Sequence, residues 1–561
     1  MFGPVWRGSS SCRSGALAST GRGKGKTGRL NRKRPSVVES EPCQRWAGRG
    51  HIGVFLCLLA SAGGKKISRL RVWGWVAWPK VLVWLLAAVL TACVKPPRAG
   101  WPEVGLPERF SQTGTVPLPE RWWLSLGDEA LAGLIEEALA QQPGVLGVWA
   151  RLEQAEALAR KAGAGLMPTV EGEAGGARRW ERGPAGPGGS LETRGVANLW
   201  LGLAASYEVD LWGRIRSSRE AAVREVRAMQ QQVQVVALTL SAQIAAVWFE
   251  LAEQRAQVEL LGRQAELQAS MLELVEARFR RGQVGAPDVL RQRQVLESVR
   301  ASLGVAEAQV RVLKNQLAVL VGRVPGSALP RQPSGLPLPP PLPQTGVPSE
   351  LLQRRPDLRQ AYEQLAAADA RLAAAIAERF PRLGLSAQGT SAGSSSRELF
   401  DRWLATLAAN LVAPILDGGA RRAEVAYRRA VLAERWQAYR QAVLQAVEEV
   451  ETALVQEQQY RQLLESLQRQ LALADRTVER LRDSYSKGAV DYLRVLDALL
   501  TQQGLQRAEL QTRRNLLWER IRLCRALAGG LDLCRPEGVL ESPGAITVGS
   551  QPGRISAASS S

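Results

Sequence analysis

The chain contains two related turn sequences, each closing a long run without proline: Arg280-Arg281-Gly282-Gln283-Val284 and Ser486-Lys487-Gly488-Ala489-Val490. Gly282 lies 69 residues after Gly213, and Gly488 lies 69 residues after Gly419. The two intervals hold a single internal glycine, Gly262, and apolar residues recur in them every three or four positions, so each predicts a helix ~100 Å long. The equal spacing predicts a duplicated chain built on two long, coiled-coil-like helices.

The duplication extends to the segments beside the long helices. Pro143 precedes Pro168 by 25 residues, and Pro356 precedes Pro381 by 25, although the proline-to-glycine intervals that follow differ, 45 residues against 38. We expect a helix at the start of each half, near 128–166 and 349–379, and a shorter helix after each turn, at about 286–322 and 490–528. The predicted organisation is a disordered basic extension with a signal peptide (1–92), an extended segment (93–127), a first repeat (128–322), a Pro-rich linker (323–348), a second repeat (349–531) and a disordered tail (532–561).

The proline-to-glycine intervals alternate with period two, which is typical of β-strands. Leu199, Leu201 and Leu203 alternate with smaller or more polar residues in the first interval, as Leu383 and Leu385 do in the second. Turn-rich centres at 183–195 and 391–396 make each interval a hairpin. A small soluble sheet with one wet face is the alternative, but the sequence offers no globular domain to cover it. Four strands cannot close a barrel and lipid excludes open sheet edges, so membrane insertion would require several chains to pool their strands.

Charge and histidine content exclude several classes of function. The net charge is +20, but residues 1–92 hold 16 basic and 2 acidic residues, which leaves +6 for the rest of the chain and removes the main reason to expect a nucleic-acid partner. The only histidine is His51, so the body of the chain has neither a histidine triad nor the commonest general base. We predict no enzyme activity, no catalytic residue, no cofactor and no metal.

The leader resembles that of a bacterial lipoprotein. Basic residues from Lys65 to Lys80 precede an apolar run from Val81 to Leu90, which is too short to span a bilayer and is followed by Thr91-Ala92-Cys93. We predict that Cys93 is lipidated and becomes the first residue, which would bury acyl chains in the membrane. The alternative is a chance cysteine after an apolar core helix. The stretch 1–64 is long for a leader, and we expect translation to begin near Val72 or Val76.

Several longer segments resemble the outer-membrane efflux protein family, the TolC-like ducts, and within it the lipoprotein branch associated with RND-type efflux. The matching segments are Trp122-Trp123 with Gly127-Asp128, Ser206 to Gly213, Pro348 to Asp357, Ala413 to Gly419 and Tyr485 to Ala498. The resemblance covers about 120–531. It implies a homotrimer whose four strands per chain form a twelve-stranded barrel in the outer membrane, with helices forming a periplasmic tunnel. It also implies a periplasmic adaptor and an inner-membrane pump as partners.

The resemblance also assigns working residues. Asp497 matches the family's constriction aspartate, and three copies around an axis would favour cations; the alternative is a solvated acid paired with Arg494. Arg494 itself departs from relatives that carry a second acid there. Tyr485 matches a tyrosine near the gate, with a hydroxyl that can hold neighbouring helices closed or a ring that only packs. Gly282 and Gly488 would be the hinges of gating.

The sequence therefore predicts a mainly α-helical chain with a β-barrel portion that acts as the passive exit duct of a tripartite efflux system. The rival interpretation is a periplasmic coiled-coil adaptor lipoprotein, but an adaptor would show one long hairpin between β-rich domains. Two questions stay open at this level: whether the pump is of the RND or the ABC type, and whether Cys524 pairs with Cys534.

Overall fold

The structure is a computed structural model that describes residues 105–184, 189–328, 331–531 and 533. The signal peptide, Cys93, Cys534 and the C-terminal tail lie outside the described residues. A 3-10 helix (Trp122–Leu126) opens the fold. The elements that follow are α1 (Glu129–Gln141), α2 (Pro143–Ala164), β1 (Thr169–Pro184), β2 (Leu191–Val209), α3 (Arg214–Arg280), α4 (Ala286–Leu320), α5 (Pro348–Arg354), α6 (Pro356–Ala377), β3 (Arg382–Gly393), β4 (Trp403–Val412), α7 (Ala420–Ser486) and α8 (Tyr492–Leu527).

The two predicted long helices are confirmed as α3 and α7, each of 67 residues and therefore ~100 Å long. Each follows a glycine in the left-handed conformation, Gly213 with φ 77° and Gly419 with φ 87°. A carboxylate just upstream accepts hydrogen bonds from the first free backbone N–H groups: Asp210 from Ile215 and Asp417 from Arg421. These acids begin the helices because the N-terminal turn has free donors and a positive dipole end.

The helix expected at the start of each half is in fact two helices, so that prediction was wrong in both copies. The first breaks at Gln142, between α1 and α2, and the second at Arg355, between α5 and α6. Both residues are extended and precede a proline, Pro143 or Pro356. A proline ring clashes with a helical residue before it but fits the first turn of a new helix, so the chain turns there and restarts.

The four strands form one antiparallel sheet in the order β1-β2-β3-β4, which confirms the two hairpins. The predicted turn centres were too wide. Gly195 already pairs with Trp180 in the first hairpin, and Ser391 still pairs with Trp403 in the second. Backbone pairing therefore extends into residues whose composition favours turns, because ladder hydrogen bonds outweigh local turn preference.

The strand register sorts the side chains onto two faces of opposite character. Directly paired residues share a face, so the pairs Leu203–Gly389, Ala205–Ala387 and Ala387–Leu407 define one apolar face across three strands. Its leucines are exposed, with Leu203 64% and Leu407 85% accessible. The opposite face carries mainly small and polar residues, including Glu171, Gln388, Thr406 and Asn410.

The main core lies where α3 passes the segment that precedes α1. Trp122 and Trp123 are buried there, and the Trp122 indole N–H donates to Ser241 Oγ (3.2 Å). Asp128 caps α1 through Leu131 and also accepts from the indole N–H of Trp248 (2.8 Å). Within the described part of the chain, α3 alone is long and apolar enough to span a bilayer, but 61% of its apolar window is buried, which is typical of a core helix.

The linker between the halves is held against the second repeat by a buried arginine. Arg520 and Glu457 are almost completely buried and form two hydrogen bonds, Nε to Oε2 (2.8 Å) and Nη2 to Oε1 (2.5 Å). The remaining nitrogen, Nη1, donates to the backbone oxygens of Pro340 and Pro341. A buried ion pair is stable only with its other donors satisfied, and here the linker carbonyls satisfy them.

Candidate gate at the ends of the long helices

Both long helices end in the same glycine turn. Gly282 has φ 71° and Gly488 has φ 74°, and hydrogen bonds from Gln283 N to Arg278 O (3.0 Å) and from Ala489 N to Ser484 O (2.9 Å) close the turns. A Cβ built on either glycine would meet nothing within 4 Å. Glycine is therefore required for the left-handed backbone and not for space. We call these two turns, with the helix ends that flank them, the tip.

One hydrophobic cluster unites the tip. It joins both turns because its members come from all four flanking helices: Val275, Val289, Val478, Tyr485, Tyr492, Val495, Leu496 and Leu499. The residues singled out by resemblance, Tyr485, Arg494 and Asp497, lie in or beside this cluster. The structure thus brings the predicted gate residues and the two predicted hinges to one end of the helices.

Tyr485 lies in this cluster, but its hydroxyl bonds to nothing in the described part of the chain. The residue is 6% exposed, and its buried Oη lacks a hydrogen-bond partner among the described residues. Its ring instead packs under the Arg278 guanidinium, with Cζ 4.0 Å from the ring centre, and lies 6.3 Å from the Tyr492 ring. Within one chain, Tyr485 joins α7 to α3 through a cation–π contact.

A neighbouring tyrosine makes the hydrogen bond that Tyr485 lacks. The Tyr492 hydroxyl donates to Gln292 Oε1 in a short contact, and the Gln292 amide donates to Gln268 Oε1 (2.9 Å). The Gln268 amide in turn donates to Gln503 Oε1 (3.3 Å). This Tyr492 chain links α3, α4 and α8. Burial, together with the nearby Tyr485 ring, raises the pKa of Tyr492, so its hydroxyl stays protonated and acts as a donor.

Sequence reasoning missed Tyr492 and its glutamines, although a signal was present. Gln257, Gln264 and Gln268 follow one another at steps of seven and four on α3, and each is buried. Glutamine at core positions of a coiled-coil seam weakens the seam and fixes its register, because each amide must find a partner. These amides find theirs on α4 and α8: Gln257 and Gln264 donate to Arg507 O and Gln506 Oε1.

Asp497 and Arg494 lie on the exposed side of α8. The residues between and beside them, Val495, Leu496 and Leu499, are buried against the cluster, which turns positions 494 and 497 outward. No ion pair joins the two side chains within the described chain, although they are three residues apart on one helix. The predicted pairing of Asp497 with its own Arg494 is therefore not formed, and both charges face away from the chain.

Comparison with known proteins identifies the chain. The model of the outer membrane efflux protein family matches residues 134–323 and 347–529. The chain belongs to this family. The pyoverdine export outer membrane protein OpmQ of Pseudomonas putida is 33% identical over 467 residues, covering 79% of this chain and 96% of the relative.

Solved structures of outer-membrane efflux proteins share the fold. The crystal structures of CusC match with a TM-score of 0.69 at 25% identity, covering 78% of this chain and 100% of the other. The outer membrane protein VceC of Vibrio cholerae matches with a TM-score of 0.67 at 25% identity, covering 74% and 100%. This chain is thus an outer-membrane efflux protein, and the proteins it resembles are outer-membrane channels rather than enzymes.

Two chemical features of the efflux protein complete the description of the site. Among the described residues, no group of three or more histidine, cysteine or acidic side chains is placed to hold a metal ion. Cys524 is a buried free thiol, and burial raises its pKa to about 12, so it remains a protonated packing residue at neutral pH. Its predicted partner, Cys534, lies outside the described residues.

Proposed function

We propose that this efflux protein assembles as a homotrimer, with Cys93 lipidated, and forms the passive exit duct of a tripartite system. A periplasmic adaptor and an inner-membrane pump would deliver the cargo and supply the energy. The observation that carries the proposal is the open four-stranded sheet. Its two edge strands, β1 and β4, have no second partner among the described residues, and its leucine face is exposed.

Such a sheet cannot remain as it is in either solvent. In water, the exposed leucines of one face would favour aggregation, and in lipid the unpaired edges would leave backbone donors and acceptors without partners. Closure with strands from further copies resolves both problems at once. Three chains would give twelve strands, an even number as bacterial barrels have, with the leucine face toward lipid and the polar face toward the lumen.

We propose that the tip is the gate. Asp497 and Arg494 would face the axis, because both are exposed and neither pairs within the chain. Gly282 and Gly488 would be the hinges, since their turns carry the backbone from each long helix into the next. The Tyr492 chain supports this proposal further, because it ties three helices together at the end where a tunnel would narrow. Tyr485 would contribute packing through Arg278.

Two adjacent residues of β4 test the membrane assignment. Leu407 lies on the leucine face and Thr406 on the polar face, so Leu407→Arg would place a charge in lipid and Thr406→Arg would place it in the lumen. A charge on the lipid face of a barrel costs ~2–4 kcal/mol near the midplane. We expect Leu407→Arg to abolish heat-resistant trimers in outer-membrane fractions and Thr406→Arg to leave them. Equal behaviour of the two variants would contradict the assignment.

Single-particle imaging of the mature protein tests the assembly itself. A threefold hollow particle with helices ~100 Å long and a tapered end is the expected result. Monomers or solid rods would overturn the duct and favour the adaptor. Planar-bilayer recording then separates a conducting duct from a closed scaffold, since only a duct carries ions across the membrane.

A further inference from the structure

A long groove runs between α4 and α8, with α3 as its floor. Its volume is about 760 Å³, within the range of ligand sites in proteins. The apolar lining comes from all three helices: Leu261, Pro287, Leu290, Val295, Val299 and Leu500. Leu290 is 64% exposed and Leu500 37%, so the groove presents apolar surface that no described residue covers.

A buried amide at the groove lacks a partner. Gln503 lines the groove and is 2% exposed, yet its Nε2 has no hydrogen-bond partner among the described residues, while its Oε1 is already occupied by Gln268. A buried N–H without an acceptor costs ~1–3 kcal/mol. An acceptor atom in the groove would remove that cost, which makes this amide an independent indication of a ligand.

The charge of the groove is one-sided. Arg291 and Arg507 both line it, and none of its described lining residues is acidic. Neither arginine forms an ion pair with a described residue. Arg507 donates only one hydrogen bond, from Nη1 to Gln264 Oε1 (3.3 Å), which leaves most of its guanidinium N–H groups available. An anionic group would therefore find two guanidinium groups and the Gln503 amide.

The dimensions favour a slender occupant. The lining of α4 extends from Pro287 to Ser302, which is ~22 Å along the helix, so the volume of about 760 Å³ corresponds to a mean cross-section of ~35 Å². An α-helix with side chains is ~10–12 Å across and needs a cross-section of ~80 Å² or more. The slot is thus too narrow to enclose a helix but accommodates an extended hydrocarbon chain.

We propose that this groove binds an anionic amphiphile, with its apolar chain between α4 and α8 and its acidic head group on Arg291, Arg507 and the Gln503 amide. The apolar chain would cover Leu290 and Leu500. Because the groove includes Gln503, the last residue of the Tyr492 chain, an occupant would contact the helices that form the tip. Binding does not depend on conduction, so the proposal can fail while the duct stands, and the reverse.

Photolabelling of the full-length protein in phosphatidylcholine nanodiscs tests the proposal. The probe is palmitate carrying a diazirine on its chain, and the labelled peptides are mapped by mass spectrometry. We expect labelling of peptides that contain 287–302 and 500–507. The matching fatty alcohol should label these peptides about tenfold less, because it lacks the charge that the arginines recognise.

Variants separate the groove from the surrounding lipid. Combining Arg291→Gln with Arg507→Gln should lower labelling at least tenfold, and Ser298→Trp should block it by filling the slot without changing the charge. Arg293→Gln is the matched control, because Arg293 is on the same helix but pairs with Glu276 outside the groove. Circular dichroism melting checks that each variant is folded.

Competition then distinguishes the source of the ligand. Displacement by palmitate alone indicates a lipid-derived chain, whereas displacement by deoxycholate as well indicates a site that also accepts rigid amphiphiles such as an exported compound; either result supports the proposal. Equal labelling by the fatty alcohol, or unchanged labelling in the arginine and tryptophan variants, would overturn it. So would displacement by an acidic amphipathic helical peptide but not by palmitate, because that result assigns the groove to a partner helix.

Discussion

Replacing Tyr492 with phenylalanine removes one hydroxyl from the tip and leaves the ring in place. The hydroxyl donates to Gln292 Oε1, and Gln292 is completely buried. Gln292 still donates to Gln268, so the variant loses one link of the Tyr492 chain and leaves one buried acceptor without its partner. The structure therefore predicts a destabilised tip in an otherwise intact fold.

The size of the effect follows from the burial. Leaving a buried acceptor without its hydrogen bond costs ~1–3 kcal/mol. At the lower value of ~1 kcal/mol per chain, a trimer loses ~3 kcal/mol, which is about a hundredfold in the ratio of open to closed ducts. A duct that is open about 0.1% of the time would then be open about 10% of the time.

Single-channel recording in planar bilayers measures this ratio directly. Tyr485→Phe is the matched control: its hydroxyl is buried without a partner, so its removal should leave the open probability unchanged. We expect frequent openings in Tyr492→Phe and wild-type behaviour in Tyr485→Phe. The opposite pattern would refute the reasoning, because it would show that the hydroxyl matched by resemblance, and not the one bonded in this structure, holds the tip.

Three further changes test other parts of the structure. Asp497→Ala should weaken cation preference in reversal-potential measurements, and unchanged selectivity would remove Asp497 from the constriction. Gly488→Ala should lower stability by ~1–2 kcal/mol, because its φ of 74° strains any residue with a Cβ, whereas Gly262→Ala in the interior of α3 should raise stability in the same thermal melts. Burial raises the pKa of Glu519 despite the nearby Arg522, so protonation favours the folded state and stability should increase as pH falls through that raised pKa; Glu519→Gln should raise the melting temperature at neutral pH and abolish this dependence, and a lower melting temperature would contradict the argument.

The features that repeat along the chain were predictable from the sequence. The glycines at 213, 282, 419 and 488 bound two helices of 67 residues, and the alternation around Leu201 and Leu385 gave the strands. Helix and strand periods depend only on neighbouring residues, and glycine turns depend only on the backbone angle. A single chain is therefore sufficient to recognise them.

The limits of elements and turns were less predictable. The breaks at Gln142 and Arg355 had a local cause, the prolines that follow, and that signal was read too weakly. The hairpin ends had a non-local cause. Gly195 and Ser391 look like turn residues, but each pairs with a tryptophan on the neighbouring strand. The register of a sheet is set by both strands together, so one strand's composition does not fix where pairing stops.

By itself, the sequence determined the duplicated architecture, the two-faced strands, and the location of Asp497, Arg494 and both hinges at one end of the long helices. Only the tertiary structure decided which tyrosine is held. Tyr492 is bonded to a glutamine 200 residues away, and Tyr485, seven residues earlier, is not. Periodic burial tolerates displacements of an ångström or more, but a hydrogen bond requires its two atoms within ~3 Å and well aligned. That precision comes from the packing of α3, α4 and α8 against one another, which no local pattern encodes.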